Sequence, residues 1–241
     1  MISVVIPTLN ETARLPGLLA RLAGEAVPHE VIVVDGGSRD ATVLAARIGG
    51  ARVLESAPGR GQQLAAGAEA AKGEILLFLH ADSRFPTGGL AEIERALARD
   101  PDCPGGNFRL VFDGDTPFSR WLTGFYARIR ARGLYYGDSG VFVRRRVYEA
   151  MGGLRPIAVM EDYDFTRRLE RRGRTCCIAE PPLVTSARRF EGRRPLAIVL
   201  GWMEIHALYH LGVPPRWLAR RYEAQRRRGL RRYSTIERVG G

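Results

Sequence analysis

The 241-residue chain has little cysteine, almost no lysine and no long uncharged stretch. Its three cysteines, Cys103, Cys176 and Cys177, match no metal-ligand spacing, and an adjacent pair rarely bridges to itself, so a reducing cytosol is the expected compartment. No run of about 18 residues is free of charge, which argues against a spanning helix. The first residues enter a strand pattern without a basic leader or cleavage site, so secretion is not expected. There is no internal repeat and no low-complexity linker. Basic charge is supplied almost wholly by one residue type: of 37 Lys+Arg only Lys72 is lysine, and the formal net charge is +11. Arginine favours bidentate phosphate contacts. The charge alone does not choose between nucleotides, anionic lipids and nucleic acid.

What is present is a 45% apolar chain, long enough for a full α/β core. Three early stretches run apolar and stop on small polar or acidic residues: SVVIPTLNE (Ser3–Glu11), VIVVDGGSRD (Val31–Asp40) and ILLFLHADS (Ile75–Ser83). Each reads as a buried parallel strand. Helical patterns lie between them, from Thr12 to about Gly24 and from Gly61 to about Ala71, which predicts βαβ units on one mostly parallel sheet. Ligands gather at the carboxyl ends of such strands, and here those ends carry Glu11, Asp35 and Asp82. An acidic edge suits a metal-bound, nucleotide-linked phosphate. DPDCPGG (Asp100–Gly106) marks a loop, followed by a strand NFRLVF, an aromatic helix, GDSG (Gly137–Gly140), a strand VFVRR, a helix RVYEAMGG and a charged helix from Glu161 to Arg172. The last strand falls within CCIAEPPLVTSARRF. From Pro195 onward the chain reads as a helical, basic appendage.

VVIPTLNE, VVDGGSRDAT, GRGQQLAAGAEAAKGEILLFLHADS, GDSGVFVRRRVYEAMGG and MEDYDFTRRLERRG occur in that order. Together they resemble the family 2 glycosyltransferases with the GT-A fold, over about residues 1 to 185. The nearest subgroup comprises short bacterial members with GDSG-like and LHADS-like blocks, some of them associated with arsenosugar biosynthesis. The resemblance implies a GT-A (Rossmann-like) domain over 1–194, with a nucleotide-binding half (1–100) and an acceptor half (101–194), followed by the appendage (195–241). It also implies sugar transfer from a nucleotide-sugar donor, usually inverting and usually with Mn2+ or Mg2+.

Residue by residue, Pro7 lacks an N–H, so the first ladder is expected to end there and free backbone groups for a ligand. In the family that loop meets the nucleoside, which brings in Pro7, Thr8 and Glu11; the plain alternative is a β-to-helix loop capped by Asn10 or Thr12. Asp35 matches the acid that accepts the base N–H. The family's Asp-Asp-Gly-Ser reads here Asp35, Gly36, Gly37, Ser38, so one carboxylate is missing, and Asp40 reads as a helix cap. Arg60 and Gln63 are expected at the diphosphate or donor sugar, with a solvated loop arginine as the alternative. His80, Ala81 and Asp82 occupy the Asp-X-Asp place: Asp82 is the expected metal ligand, and His80 is a second ligand, a ribose contact or a packed histidine. Gly137 and Asp138 sit in a tight turn that the family places near both sugars. Asp162 matches the catalytic base and Glu161 its positioning partner, in a helix start where anions are favoured. Arg188 and Arg189 face the diphosphate or solvent.

The reading is a metal-dependent, inverting transferase that moves one sugar from a UDP- or GDP-linked donor to an unidentified acceptor hydroxyl. The processive members' Gln-X-X-Arg-Trp motif is absent, since Arg216-Trp217 follows Val213-Pro214-Pro215. Rivals are a sugar-phosphate nucleotidyltransferase, a non-catalytic nucleotide-sugar sensor, and a surface-binding module driven by the Arg216–Arg232 run. Leu196–Val213 reads as a packed helix; its sharper alternative is attachment at the inner face of a membrane. Nucleic acid is not expected as a partner.

Overall fold

The computed structural model describes residues 1–187 and 195–224. The described residues divide into two compact units: Met1–Pro156 with Glu161–Ser186, and Ile157–Met160 with Ala187 and residues 195–224.

The first unit is built on a seven-stranded sheet. Its strands are β1 (Ile2–Thr8), β2 (His29–Asp35), β3 (Arg52–Glu55), β4 (Ile75–Phe78), β5 (Gly105–Phe112), β6 (Val141–Arg144) and β7 (Cys176–Thr185), in the order β3-β2-β1-β4-β6-β5-β7. Strands β3, β2, β1 and β4 are parallel, β6 runs antiparallel to β4 and β5, and β7 is parallel to β5. The expected mostly parallel α/β sheet is found. Its helices are α1 (Leu15–Ala23), α2 (Thr42–Ile48), α3 (Arg60–Ala70), α4 (Gly89–Arg99), α5 (Pro117–Arg130), α6 (Arg145–Ala150) and α7 (Glu161–Glu170). Helix α1 begins later than its pattern, with Pro16 in its first turn, where a missing N–H costs nothing.

The expectation that Pro7 ends the ladder is wrong. Pro7 pairs with Val34 and Thr8 with Asp35, so β1 continues to Thr8. The O of Val5 accepts from the N–H of Leu79, which turns alternate residues, Pro7 included, toward β4. Strand β4 has already stopped at Phe78, so no donor is required of Pro7.

Helix α7 is fastened to the sheet through Phe165 and Leu169, both buried. The Phe165 ring meets Phe78 edge-on at 5.8 Å and Tyr148 at 5.9 Å. Removing such a ring costs about 3–5 kcal/mol, so the start of α7 is held firmly.

In the second unit, α8 (Pro195–His210) buries Ile198 and Ile205 and leaves Leu196, Leu200 and Met203 exposed. Residues 215–224 form a further helix in which Leu218 is buried and Arg220 lies over the Trp217 ring at 5.5 Å. Arg221 pairs with Glu204 at 2.6 Å, neutralising the single acid of α8.

Candidate active site

Two groups of side chains converge at the carboxyl edge of the first unit's sheet. The first laces the loop after β1 to the loop after β2. Asp35 is buried, and its carboxylate accepts from the Gly37 N–H (3.0 Å), the Ser38 N–H (2.8 Å), the Ser38 hydroxyl (2.5 Å) and the Thr8 hydroxyl (3.2 Å). A carboxylate has about four lone-pair sites, so all are filled from within the chain. Asn10 accepts from the Arg39 N–H at 2.9 Å, and its own N–H donates to Ser38 at 2.8 Å. Asp40 accepts from the N–H groups of Thr42 (3.0 Å) and Thr12 (3.3 Å). Glu11 pairs with Arg14 at 3.1 Å.

Gln63, buried in the first turns of α3, donates through its amide to the carbonyls of Thr8 and Val34, each at 2.8 Å. It thereby clamps the ends of β1 and β2. A Cβ on Gly36 would stand 3.1 Å from the Gln63 Cδ and Nε2. The place where the resembling family carries a second acid is therefore filled by this amide.

The second group gathers around Arg60, three residues before Gln63. Its guanidinium Nη2 lies 2.9 Å from Asp162, its Nε bonds Glu161, and Nη1 lies 3.3 Å from the His80 Nε2. Asp162 also accepts from the Gly137 N–H at 3.0 Å and the Tyr163 N–H at 2.8 Å. A Cβ on Gly137 would stand 3.2 Å from the Asp162 Cβ, so any larger residue there requires Asp162 to give by a few tenths of an ångström. The side chain of Glu161 is 3% exposed, that of Asp162 15% and that of Arg60 37%.

Burial pushes the Glu161 carboxyl above its ordinary value and prevails over Arg60. Burial works the same way on Asp162, but Arg60 and the Gly137 and Tyr163 amides overcome it and hold that carboxyl below its ordinary value. Arg60 itself is raised, because Asp162 and Glu161 outweigh its desolvation. The third acid of the helix start belongs elsewhere: Asp164 binds Arg155 at 3.1 Å and Arg168 at 2.8 Å.

Asp82 follows β4, two residues beyond His80 in a turn closed by the Ser83 N–H on the His80 carbonyl at 3.0 Å. It is half-buried, and among the described residues none bonds its carboxylate. No group of three His, Cys, Asp or Glu side chains able to hold a metal occurs among the described residues. Asp138 is buried and receives the Tyr126 hydroxyl at 3.4 Å.

The structure thus brings Arg60, His80, Gly137, Glu161 and Asp162 together, and separately Thr8, Asp35 and Gln63. Arg188 and Arg189, and the arginine-rich run from residue 225, lie outside the described residues. Sequence reasoning passed over Tyr136 and Tyr163, which stack at 6.1 Å beside Asp162. Burial, then Asp162, pushes the Tyr136 phenol up. The available signal was aromatic residues flanking two acidic motifs, YYGD and EDYD.

The model of the family described as "Glycosyl transferase family 2" matches residues 3–151. An uncharacterized glycosyltransferase of Mycobacterium bovis is 36% identical over 111 residues, 46% of this chain and 50% of that protein. The undecaprenyl-phosphate 4-deoxy-4-formamido-L-arabinose transferase of Aeromonas hydrophila is 28% identical over 172 residues, 63% of this chain and 51% of the relative. The chain therefore spans about half the length of the curated relatives it matches. Among solved structures, the mannosyltransferase of Pyrobaculum calidifontis in complex with GDP-Man and Mn2+ superposes with a TM-score of 0.64 at 21% identity, over 93% of this chain and 73% of that one. The glucosyl-3-phosphoglycerate synthase of Mycobacterium tuberculosis, with Mn2+, UDP and glucosyl-3-phosphoglycerate, gives 0.61 at 22% identity, over 89% and 81%.

Proposed function

The chain belongs to glycosyl transferase family 2, and on that premise we propose that it transfers one sugar from a nucleotide-sugar donor to an acceptor hydroxyl with inversion. The observation that carries this reading is Asp162: an ionised carboxylate at the start of a well-anchored helix, aimed by the Gly137 N–H and set beside a cation. As the acceptor oxygen attacks the anomeric carbon, its proton passes to Asp162, the anomeric C–O bond to the phosphate breaks, and the nucleoside diphosphate leaves with the electron pair. Glu161 orients Arg60 and the acceptor side. The nucleoside lies against the loops after β1 and β2, within residues 1–100. Asp35 shapes that site by holding the Gly36–Ser38 turn; to accept a base N–H it must release one of its four internal partners. Pro7, Thr8 and Glu11 form the opposite wall, with Gln63 as the clamp beneath and Asp138 near the sugar.

The residues present fit Mg2+ or Mn2+ only as an ion shared with the donor. One carboxylate, Asp82, stands without a protein partner among the described residues, and such ions are commonly bound by one or two carboxylates plus substrate phosphates. When bound, the ion adds positive charge at the departing diphosphate. The two neighbours were solved with Mn2+, which supports a divalent ion as the class of cofactor.

A thermal-shift screen of UDP- and GDP-linked hexoses, with and without Mn2+, identifies the donor. With that donor, Asp162→Asn should lower turnover by about two to four orders of magnitude without weakening donor binding. Full activity in the variant rejects the assignment of the base.

The second unit supports attachment to an anionic membrane surface. Leu196, Leu200, Met203, Leu211 and Trp217 are exposed within a short span that also carries Arg216 and Arg220. No described helix is long and apolar enough to cross a membrane. Apolar side chains bordered by arginines suit a helix lying in the headgroup layer. The relative whose name carries undecaprenyl phosphate, a membrane lipid, supports such a setting. Phosphatidylglycerol vesicles should pellet the protein and fail to pellet the Leu200→Glu, Met203→Glu variant; wild type left in the supernatant rejects the attachment.

A further inference from the structure

Three nitrogens of one guanidinium are engaged by residues about 100 and 20 positions away in sequence: Asp162 at 2.9 Å, Glu161, and the His80 Nε2 at 3.3 Å. The arrangement satisfies Arg60 but spoils Asp162 for its task. A general base works best with a pKa near the working pH, whereas Arg60 holds the Asp162 carboxyl below its ordinary value. An arginine fork binds phosphate oxygens as readily as carboxylate oxygens, but one guanidinium cannot do both in full. Arg60 opens α3, the helix whose Gln63 clamps the ends of β1 and β2, and its side chain is 37% exposed. An anion arriving from solvent can therefore reach it.

We infer that Arg60 is a donor-operated latch. Without donor it ties down Asp162 and Glu161; the donor's diphosphate draws the guanidinium away and leaves Asp162 free to take the acceptor proton. The inference rests on the glycosyl-transfer reading and deepens it. The order of binding becomes donor first, and Asp162 gains basicity only when there is a sugar to transfer. Arg60 is a positioning residue here. The other groups facing Asp162 are Glu161 and Tyr163 on α7, Tyr136, the Gly137 amide and Asp138 on the preceding loop, and His80 after β4.

The test measures donor hydrolysis, with water as acceptor, on the nucleotide sugar that most raises the melting temperature. The pH profile of the second-order rate at low donor reports the free enzyme, and that of the single-turnover rate at saturating donor reports the complex. In wild type the acid limb of the complex should lie at higher pH than that of the free enzyme. In Arg60→Gln the two limbs should coincide and the donor KM should rise roughly ten- to a hundredfold. Arg60→Lys, which keeps a charge without the fork, should restore part of the separation and serves if the glutamine variant does not fold. Coincident limbs in wild type, or a separation unchanged in Arg60→Gln, overturn the latch alone. Wild type that turns over no nucleotide sugar overturns the transferase reading and the latch with it.

Discussion

Substituting Gly36 by alanine tests how the nucleotide edge is built. The new Cβ would stand 3.1 Å from the Gln63 Cδ and Nε2 and 3.2 Å from its Oε1. Side-chain carbons rarely approach so closely, so the amide must retreat by a few tenths of an ångström. Its Nε2 holds the Thr8 and Val34 carbonyls at 2.8 Å each, and both bonds lengthen together. Two buried hydrogen bonds at about 1 kcal/mol each amount to about 2 kcal/mol. A chain of this size loses about 2–4 °C per kcal/mol, so the melting temperature should fall by about 4–8 °C. Gln63→Ala alone should cost a similar amount, because the same carbonyls lose their donor. In the Gln63→Ala background, Gly36→Ala should be nearly neutral, since the space it needs is then vacant. Thermal unfolding of the four proteins closes the cycle, with a coupling of at least about 1 kcal/mol expected. Additive losses would refute the clamp. Gly36→Asp, which restores the acid found in the resembling family, should be worse than alanine and should weaken nucleotide binding.

Gly137→Ala presses on the Asp162 Cβ at 3.2 Å and its Oδ2 at 3.3 Å; turnover should fall roughly ten- to a hundredfold with donor affinity little changed, as steady-state kinetics will show. Glu161 gives a pH signature of known sign. Burial raises its folded-state value above the ordinary 4.5, so its stabilising share is complete below that value and is lost as pH rises through the folded one. Asp162, depressed below 3.8, behaves oppositely: its share is present above that value and lost as pH falls through the folded one. The stability of wild type minus that of Glu161→Gln, from urea unfolding, should therefore decline as pH rises above the ordinary value of 4.5. A flat or rising difference contradicts the burial argument.

Most of the parallel half of the sheet was legible because its strands are short apolar runs ending on acids, a pattern that buried parallel pairing imposes on each strand by itself. Strand β3 was not, since RVLE is four residues long with charged ends exposed. The reversal of β6 was also hidden: VFVR is as apolar as a parallel strand, and its direction is set by pairing with β4 and β5, far away in sequence. Asp82 and Asp162 could be singled out because each stands in a short local motif.

The same limit explains why the cation met by each of the three acids at the start of α7 could not be read from the motif that singled out Asp162. Glu161, Asp162 and Asp164 share a helix N-terminus and its favourable dipole. What separates them is the cation each meets: Arg168, one turn along the same helix, and Arg155 for Asp164; Arg60, about a hundred residues earlier, for the other two. The Arg168 pairing follows the helical i, i+4 spacing and needs no tertiary knowledge. The Arg60 pairing exists only because α3 and α7 pack near one another at the sheet edge. Asp35 shows the reverse case, a motif that was readable while its saturation was not, because four donors close on it from two loops. Local spacing therefore reports which residue types stand at the edge of the sheet. Which charges are free to act there is decided by the long-range packing that brings Arg60 to the carboxylates or takes it from them.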